Sequence, residues 1–166
     1  IGDAYLCAAG LPVPTFSHAA DMVHAAAEIL DFMHCRRLEK EARGEIAFEI
    51  RVGIHTGPLV AGVVGRRKYA YDIWGDTVNT ASRMESSGEA GRVNISGATY
   101  EFVKEFFVCE YRGKMPVKYK GELEMYFVKG IIPELSDENG NPNSRFRFMM
   151  QIIKLQDVEE TVNKMF

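Results

Sequence analysis

The sequence predicts an α+β fold in which helices pack on one face of an antiparallel-rich sheet. Short strand-like runs recur along the chain, several joined by tight turns, and they alternate with stretches of helical periodicity. The composition is ordinary for a globular domain, with 46% hydrophobic and 26% charged residues. The 166 residues are enough for one domain with a real core.

Five elements are predicted in the first half of the chain. In order, they are a strand at residues 4–9, a helix at 18–38, and strands at 46–54, 59–64 and 71–74. Ser17 is the expected cap of the helix. Alternation in the second strand places Arg51 on the side opposite Ile50 and Val52. His55, in the turn that follows, is interpreted as a structural hydrogen-bonding residue rather than a catalytic base.

The second half is predicted to continue the same alternation. Its elements are a helix from Thr77, a strand at residues 93–95, a helix at 98–105, and strands at 106–111, 115–119 and 125–129. Residues 131–143 are polar and rich in turn formers, which indicates the end of the domain. The predicted division is therefore a domain at residues 1–132, followed at 133–166 by a linker and a C-terminal helix.

Charge and cysteine usage exclude several classes of partner and location. The net charge is −3, so no overall basic field would draw the chain to nucleic acid or to a membrane. The three cysteines are far apart and lack metal-ligand spacing, which favours reduced thiols in the cytoplasm. Neither a membrane-spanning run nor a signal peptide is recognisable, so this segment is not expected to insert into a membrane, although a longer parent protein could carry an anchor.

The segment from Tyr71 to Met84 is the most informative part of the sequence. Asp72 lies near the end of a strand, where a carboxylate can accept a hydrogen bond from the amine of a base. Asn79 and Arg83 lie four residues apart on the helix that follows and so share one face, where they can meet a ribose and a phosphate. This segment closely resembles the signature of the class III nucleotide cyclases, the adenylyl and guanylyl cyclases.

Three further segments, at residues 2–12, 50–57 and 117–123, resemble cyclase motifs in the order that the family has them. Without the resemblance, Asp3 could either ligate a hard cation or accept a hydrogen bond from the backbone of its own turn. Arg51 alone would be interpreted as a solvent-exposed arginine on a strand. The resemblance implies that Asp3 is a metal ligand, that Arg51 contacts the terminal phosphates, and that Lys118 contacts a phosphate. The family's other metal aspartate and its purine-contacting lysine are expected upstream of Ile1.

The resemblance also implies roles for the residues of the central segment. Asn79 corresponds to the amide that orients the ribose, and Arg83 to the guanidinium that meets charge building on the α-phosphate. Ile73 resembles the residue whose backbone lies against the purine. Asp72 favours ATP, because a carboxylate accepts from the N6 amine of adenine and repels the O6 of guanine. In the family an acid at this position accompanies ATP.

The resemblance as a whole implies a ferredoxin-like fold of the βαββαβ type that lacks its first strand–helix segment. The implied reaction is the conversion of ATP to 3′,5′-cyclic AMP and pyrophosphate, with two Mg²⁺ or Mn²⁺ ions per site. Because one chain carries both halves of the family's shared site, a symmetric homodimer is the expected assembly. The alternatives are a guanylyl cyclase and a catalytically silent cyclase-like module that acts in dimerisation or regulation.

Overall fold

The computed structural model describes residues 4–117 and 121–165. In chain order, the described elements are α1 (His18–Ala42), β1 (Val52–Ile54), β2 (Val60–Val64), β3 (Ala70–Trp74), α2 (Asp76–Ser86), β4 (Val93–Ser96), α3 (Gly97–Val103), β5 (Phe107–Val117), β6 (Gly121–Ile131), a 3₁₀ turn (Pro133–Leu135) and α4 (Ser144–Met165). The mixed α+β class predicted from the sequence is confirmed.

Strands from distant parts of the chain form the central sheet. Its four strands are arranged in the order β1-β4-β6-β5, while β2 and β3 form a separate two-stranded hairpin. Strand β1 runs parallel to β4, and the β4–β6 and β5–β6 pairs are antiparallel. The predicted excess of antiparallel pairing is therefore present, and β2, β3 and α2 are inserted between the two parallel strands.

A large hydrophobic core fills one face of the sheet. Side chains of α1, α3 and α4 pack there on the inward residues of β1 and β4. Its buried members are Ala19, Ala20, Val23, Ala26, Ile54, Val93, Ile95, Val103, Phe106, Phe107, Leu135, Phe146 and Met150. Phe146 of α4 meets Phe106 and Phe107 edge-on, at ring-centroid distances of 5.9 and 6.0 Å. The predicted C-terminal helix thus exists, and its first turns complete this core.

Helix α2 lies on the other face, which corrects the expectation that the helices share one face. Val52 and Ile54 of β1 point into the large core, so the intervening Gly53 faces the opposite side. A Cβ at Gly53 would lie 1.9 Å from the backbone nitrogen of Glu85 in α2. The missing side chain allows the helix to lie directly on the strand, where Met84 and Met125 form a small second core.

Two predicted strands are shorter or absent. Residues 4–9 form no strand, and of the predicted strand at 46–54 only the last three residues pair, with β4. A strand forms only where a neighbouring strand accepts and donates its backbone hydrogen bonds. Among the described residues, β4 is the neighbour of β1, and it pairs with residues 52–54 and not with residues 46–51. Accordingly, Ile46 is 91% exposed and Phe48 is 65% exposed.

The two strands predicted at 106–111 and 115–119 correspond to one continuous strand, β5 (Phe107–Val117), and residues 118–119 of the prediction lie outside the described residues. Shifts in its register with β6 occur after Val108 and around Gly113, whose φ is +95°. The strand therefore continues through residues 112–114, where the sequence predicted a break, with an irregular register instead of an end. None of the helices in the described ranges combines the length and apolarity of a membrane span.

Candidate active site

The β2–β3 hairpin carries the residues predicted to recognise a base. Asp72 pairs with Gly62 across the ladder, and Ile73 pairs with Ala61. The Asp72 side chain is exposed, and its Oδ1 accepts a hydrogen bond of 2.8 Å from the backbone N–H of Ile73. The carboxylate is thereby held beside the neighbouring backbone at the surface of the hairpin.

Helix α2 begins directly after this hairpin. Its N-cap is Gly75, whose φ of +135° is a conformation that glycine adopts without strain. Thr77, Thr80 and Met84 form the buried stripe of the helix. Asn79 is exposed and Arg83 is half-buried. Within residues 4–117 and 121–165, no side chain forms a hydrogen bond or ion pair with either of these two side chains. The structure therefore brings Asn79 and Arg83 together on one flank of α2, about one turn beyond the β2–β3 hairpin.

Arg51 precedes β1 and contacts α2 on a different side from Arg83. Its Nε donates a 2.8 Å hydrogen bond to Oε1 of Glu85. Glu85 follows Arg83 by two residues. In an α-helix two residues correspond to a rotation of about 200° around the helix axis, so the side chains of Arg83 and Glu85 leave the axis in directions about 160° apart. Arg51 is therefore held on the side of α2 that lies away from the direction of Arg83.

A polar network not foreseen from the sequence holds the connection between β1 and β2. His55 Nδ1 lies 2.7 Å from the hydroxyl of Ser96, which makes His55 the structural hydrogen-bonding residue that was predicted. Thr56 Oγ1 lies 3.1 Å from Oγ1 of Thr99, and that hydroxyl also donates to the Ile54 carbonyl at 3.5 Å. These bonds fasten the connection to the N-terminus of α3.

The same connection also contacts α2. The hydroxyl of Thr77 donates to the carbonyl of Pro58. A Cβ placed on Gly57 would lie 2.8 Å from that hydroxyl, so glycine leaves the space that the Thr77 hydroxyl occupies. Sequence reasoning missed Thr77. The available signal was a hydroxyl in the first turn of a helix that begins with glycine instead of a capping side chain.

A comparison with models of protein families identifies the family of this chain. Residues 1–130 match the model of the adenylate and guanylate cyclase catalytic domain. The chain belongs to this family. It is 40% identical over 129 residues to an adenylate cyclase of Mycobacterium bovis, and 39% identical over 142 residues to Guanylate cyclase 32E of Drosophila melanogaster. These matches cover 78% and 83% of the chain but only 28% and 12% of the two relatives.

Solved cyclase structures share the fold. The adenylyl cyclase CyaB from P. aeruginosa superposes with a TM-score of 0.66 at 32% sequence identity, over 71% of this chain and 63% of that one. The fold class and the family inferred from the sequence motifs are thus confirmed. The relatives include both adenylyl and guanylyl cyclases. Family membership therefore establishes a nucleotide cyclase domain but does not decide between ATP and GTP as the substrate.

Two of the predicted cyclase site residues, Asp3 and Lys118, lie outside the described residues. In the described ranges, 4–117 and 121–165, no three histidine, cysteine or acidic side chains converge to form a possible metal site. The role of Asp3 in metal binding stays a prediction.

Proposed function

We propose that this chain is the catalytic part of an adenylyl cyclase that converts ATP to 3′,5′-cyclic AMP and pyrophosphate. The observation that carries this proposal is the position of Asp72, exposed on β3, immediately before the helix that presents Asn79 and Arg83. A base-reading acid, a ribose-orienting amide and a phosphate-binding guanidinium thus follow one another over twelve residues.

Recognition of the base rests on hydrogen-bond complementarity. The N6 amine of adenine donates a hydrogen bond, whereas guanine has the acceptor O6 at the equivalent edge. The Asp72 carboxylate accepts from adenine and repels guanine, while the backbone of Ile73 lies against the purine. A site built to bond one substrate group discriminates strongly, because the wrong substrate leaves a polar group unpaired.

The reaction is an in-line displacement at the α-phosphate. The ribose 3′-hydroxyl gives up its proton to solvent as its oxygen forms the new bond to phosphorus, and the bond from phosphorus to the bridging oxygen breaks, so that pyrophosphate leaves. Asn79 orients the ribose for this attack, and Arg83 donates to the oxygens on which charge builds. Arg51 binds the terminal phosphates, for which a bidentate guanidinium is well suited, and Lys118 contacts a phosphate. Two Mg²⁺ or Mn²⁺ ions, with Asp3 among their ligands, would neutralise charge on the attacking and leaving oxygens.

The proposed assembly is a symmetric homodimer with two equivalent sites. One subunit supplies Asp3 and Arg51, and the other supplies Asp72, Asn79, Arg83 and Lys118. The opposite placement of Arg51 and Arg83 around α2 supports this division. The hairpin that precedes α2 exposes large apolar side chains, which favours a covered surface there. These side chains are Val60, Val63, Val64, Tyr69 and Tyr71.

The deciding experiment measures product formation by the full-length protein with ATP and with GTP as separate substrates. The proposal expects cyclic AMP as the main product and slow turnover of GTP. Comparable turnover of both nucleotides would remove the role given to Asp72. A guanylyl cyclase, favoured by the similarity to the Drosophila enzyme, would form cyclic GMP preferentially. A silent regulatory module would form neither product. The presence of Asn79 and Arg83 argues against this alternative.

A further inference from the structure

The connection from β1 to β2, residues 55–58, is held by hydrogen bonds from two helices. On one side, Ser96 bonds to His55 at 2.7 Å, and Thr99 bonds to Thr56 at 3.1 Å. Ser96 is 3% exposed and Thr99 is fully buried, so one partner of each bond is shielded from water. The connection is therefore fixed relative to β4 and α3, which belong to the rigid centre of the fold.

On its other side, the connection is the fixed point for the start of α2. The first turn of a helix has unsatisfied backbone groups and frays unless it is anchored. The N-cap of α2, Gly75, has no side chain that could do this. Thr77 does not cap these groups, but it anchors the first turn from the side, because its hydroxyl, on a residue that is 8% exposed, donates to the carbonyl of Pro58.

We propose that Thr77 is a positioning residue of the cyclase reaction. Its bond to Pro58 sets the direction of the first turn of α2, and with it the places of Asn79 two residues later and Arg83 six residues later. This inference rests on the function proposed above for Asn79 and Arg83. Groups that stabilise a transition state depend on placement within fractions of an ångström, so a loosened first turn lowers the rate of the chemical step.

Thr77→Val and Thr77→Ser test this role as a matched pair in the full-length protein. Valine keeps the shape of threonine and removes the hydroxyl, whereas serine keeps the hydroxyl. We expect Thr77→Val to lower kcat about tenfold to a hundredfold with little change in KM for ATP. Thr77→Ser should restore most of kcat. Wild-type kcat in Thr77→Val, or an equal loss in Thr77→Ser, would overturn the proposal.

Thr80→Val is the control for losing a buried hydroxyl from the same helix face. Thr80 is 2% exposed, and its hydroxyl donates at 2.9 Å to the Asp76 carbonyl within α2. It therefore does not link the helix to another element, and Thr80→Val should keep kcat near the wild-type value. A loss as large as that of Thr77→Val would show that any buried hydroxyl on this face matters equally and would overturn the proposal.

Hydrogen exchange separates failure of this inference from failure of the proposed function. If the wild-type protein forms no cyclic nucleotide, the proposed function fails, but the anchor can still be measured at the amides of residues 76–83. Exchange there should be faster in Thr77→Val than in the wild type and normal in Thr77→Ser. Unchanged exchange in Thr77→Val would show that the hydroxyl does not hold the helix.

Discussion

Arg51 and Arg83 face opposite sides of α2, because Arg51 is bound to Glu85, two residues beyond Arg83 in the helix. Both side chains of the Arg51–Glu85 pair are substantially exposed, at 49% and 40%, so the bond is worth about 1 kcal/mol or less and Arg51 can rearrange toward a phosphate. In this chain Arg51 is nevertheless bound across α2 from the direction of Arg83. A site that uses both guanidiniums is therefore expected to draw them from two chains.

This relationship predicts rescue between two inactive variants. In a dimer of Arg51→Ala with Arg83→Ala, one site receives both lesions and the other receives neither. Random exchange of equal amounts makes half of the dimers mixed, so cyclase activity should recover to about a quarter of the wild-type value. Asp3→Ala mixed with Arg83→Ala should behave in the same way.

The control for this rescue is a mixture of Asn79→Ala with Arg83→Ala. These residues lie on the same flank of α2, so every mixed dimer has one lesion in each site and no intact site. Activity should stay low in this mixture. Absence of rescue in the Arg51 and Arg83 mixture, despite proven subunit exchange, would indicate a site built within one chain.

Asp72→Cys should weaken the preference for ATP. The thiol is a poor acceptor for the adenine N6 amine and no longer repels the O6 of guanine. We expect kcat/KM for ATP to fall and the ratio of ATP to GTP turnover to decrease by at least about tenfold. The measurement is kcat/KM for each nucleotide in the same protein preparation. An unchanged ratio would mean that another residue reads the base.

Arg83→Ala should depress kcat much more than it raises KM. The guanidinium is proposed to meet charge that develops only in the transition state, and loss of one such donor typically costs about a hundredfold or more in rate. Steady-state kinetics over a range of ATP concentrations separates the two parameters. A rise in KM with unchanged kcat would reassign Arg83 to binding of the ground state.

Gly53→Ala should destabilise the fold by at least about 2 kcal/mol, because the new methyl group meets the backbone of α2 and cannot be accommodated by a side-chain rotation. Its Cβ would lie 1.9 Å from the nitrogen of Glu85. Gly62→Ala is the control, since its Cβ would make an ordinary 3.7 Å contact with the Trp74 ring. Urea denaturation compares the two, and equal midpoints would contradict the close approach of α2 to β1.

Cys109 should resist alkylation in the folded protein. Burial raises the pKa of its thiol to about 11, because the thiolate loses hydration. At pH 8 the reactive thiolate is therefore depleted about a hundredfold relative to an ordinary cysteine. We expect iodoacetamide to label the exposed Cys35 first, and Cys109 at a comparable rate only after unfolding in urea. Mass spectrometry of tryptic peptides would show the order.

Local patterns in the sequence were sufficient where a contact lies close along the chain. The hairpin strand before Gly75, the helix after it, and the shared flank of Asn79 and Arg83 follow from turn chemistry and helical spacing. Ser17 begins α1 as predicted, although its hydroxyl bonds to the side chain of Asp21 instead of a backbone amide. These features depend on residues within about one turn of each other.

The features that the sequence did not reveal depend on partners far along the chain. The bond from Thr77 to Pro58 spans 19 residues, and the one from His55 to Ser96 spans 41. The face occupied by α2 depends on the lack of a side chain at Gly53, which a pattern of apolar alternation does not register. Likewise, residues 46–51 alternate like a strand, yet pairing depends on a neighbour that alternation cannot supply.

Helix α2 lies across the sheet from α1, α3 and α4. A substitution that repacks the large core therefore acts on one face of β1 and β4, while Asn79 and Arg83 lie on the helix that packs on the other face. By the same geometry, the strands and residues 55–58 lie between the large core and the helix that carries Asn79 and Arg83.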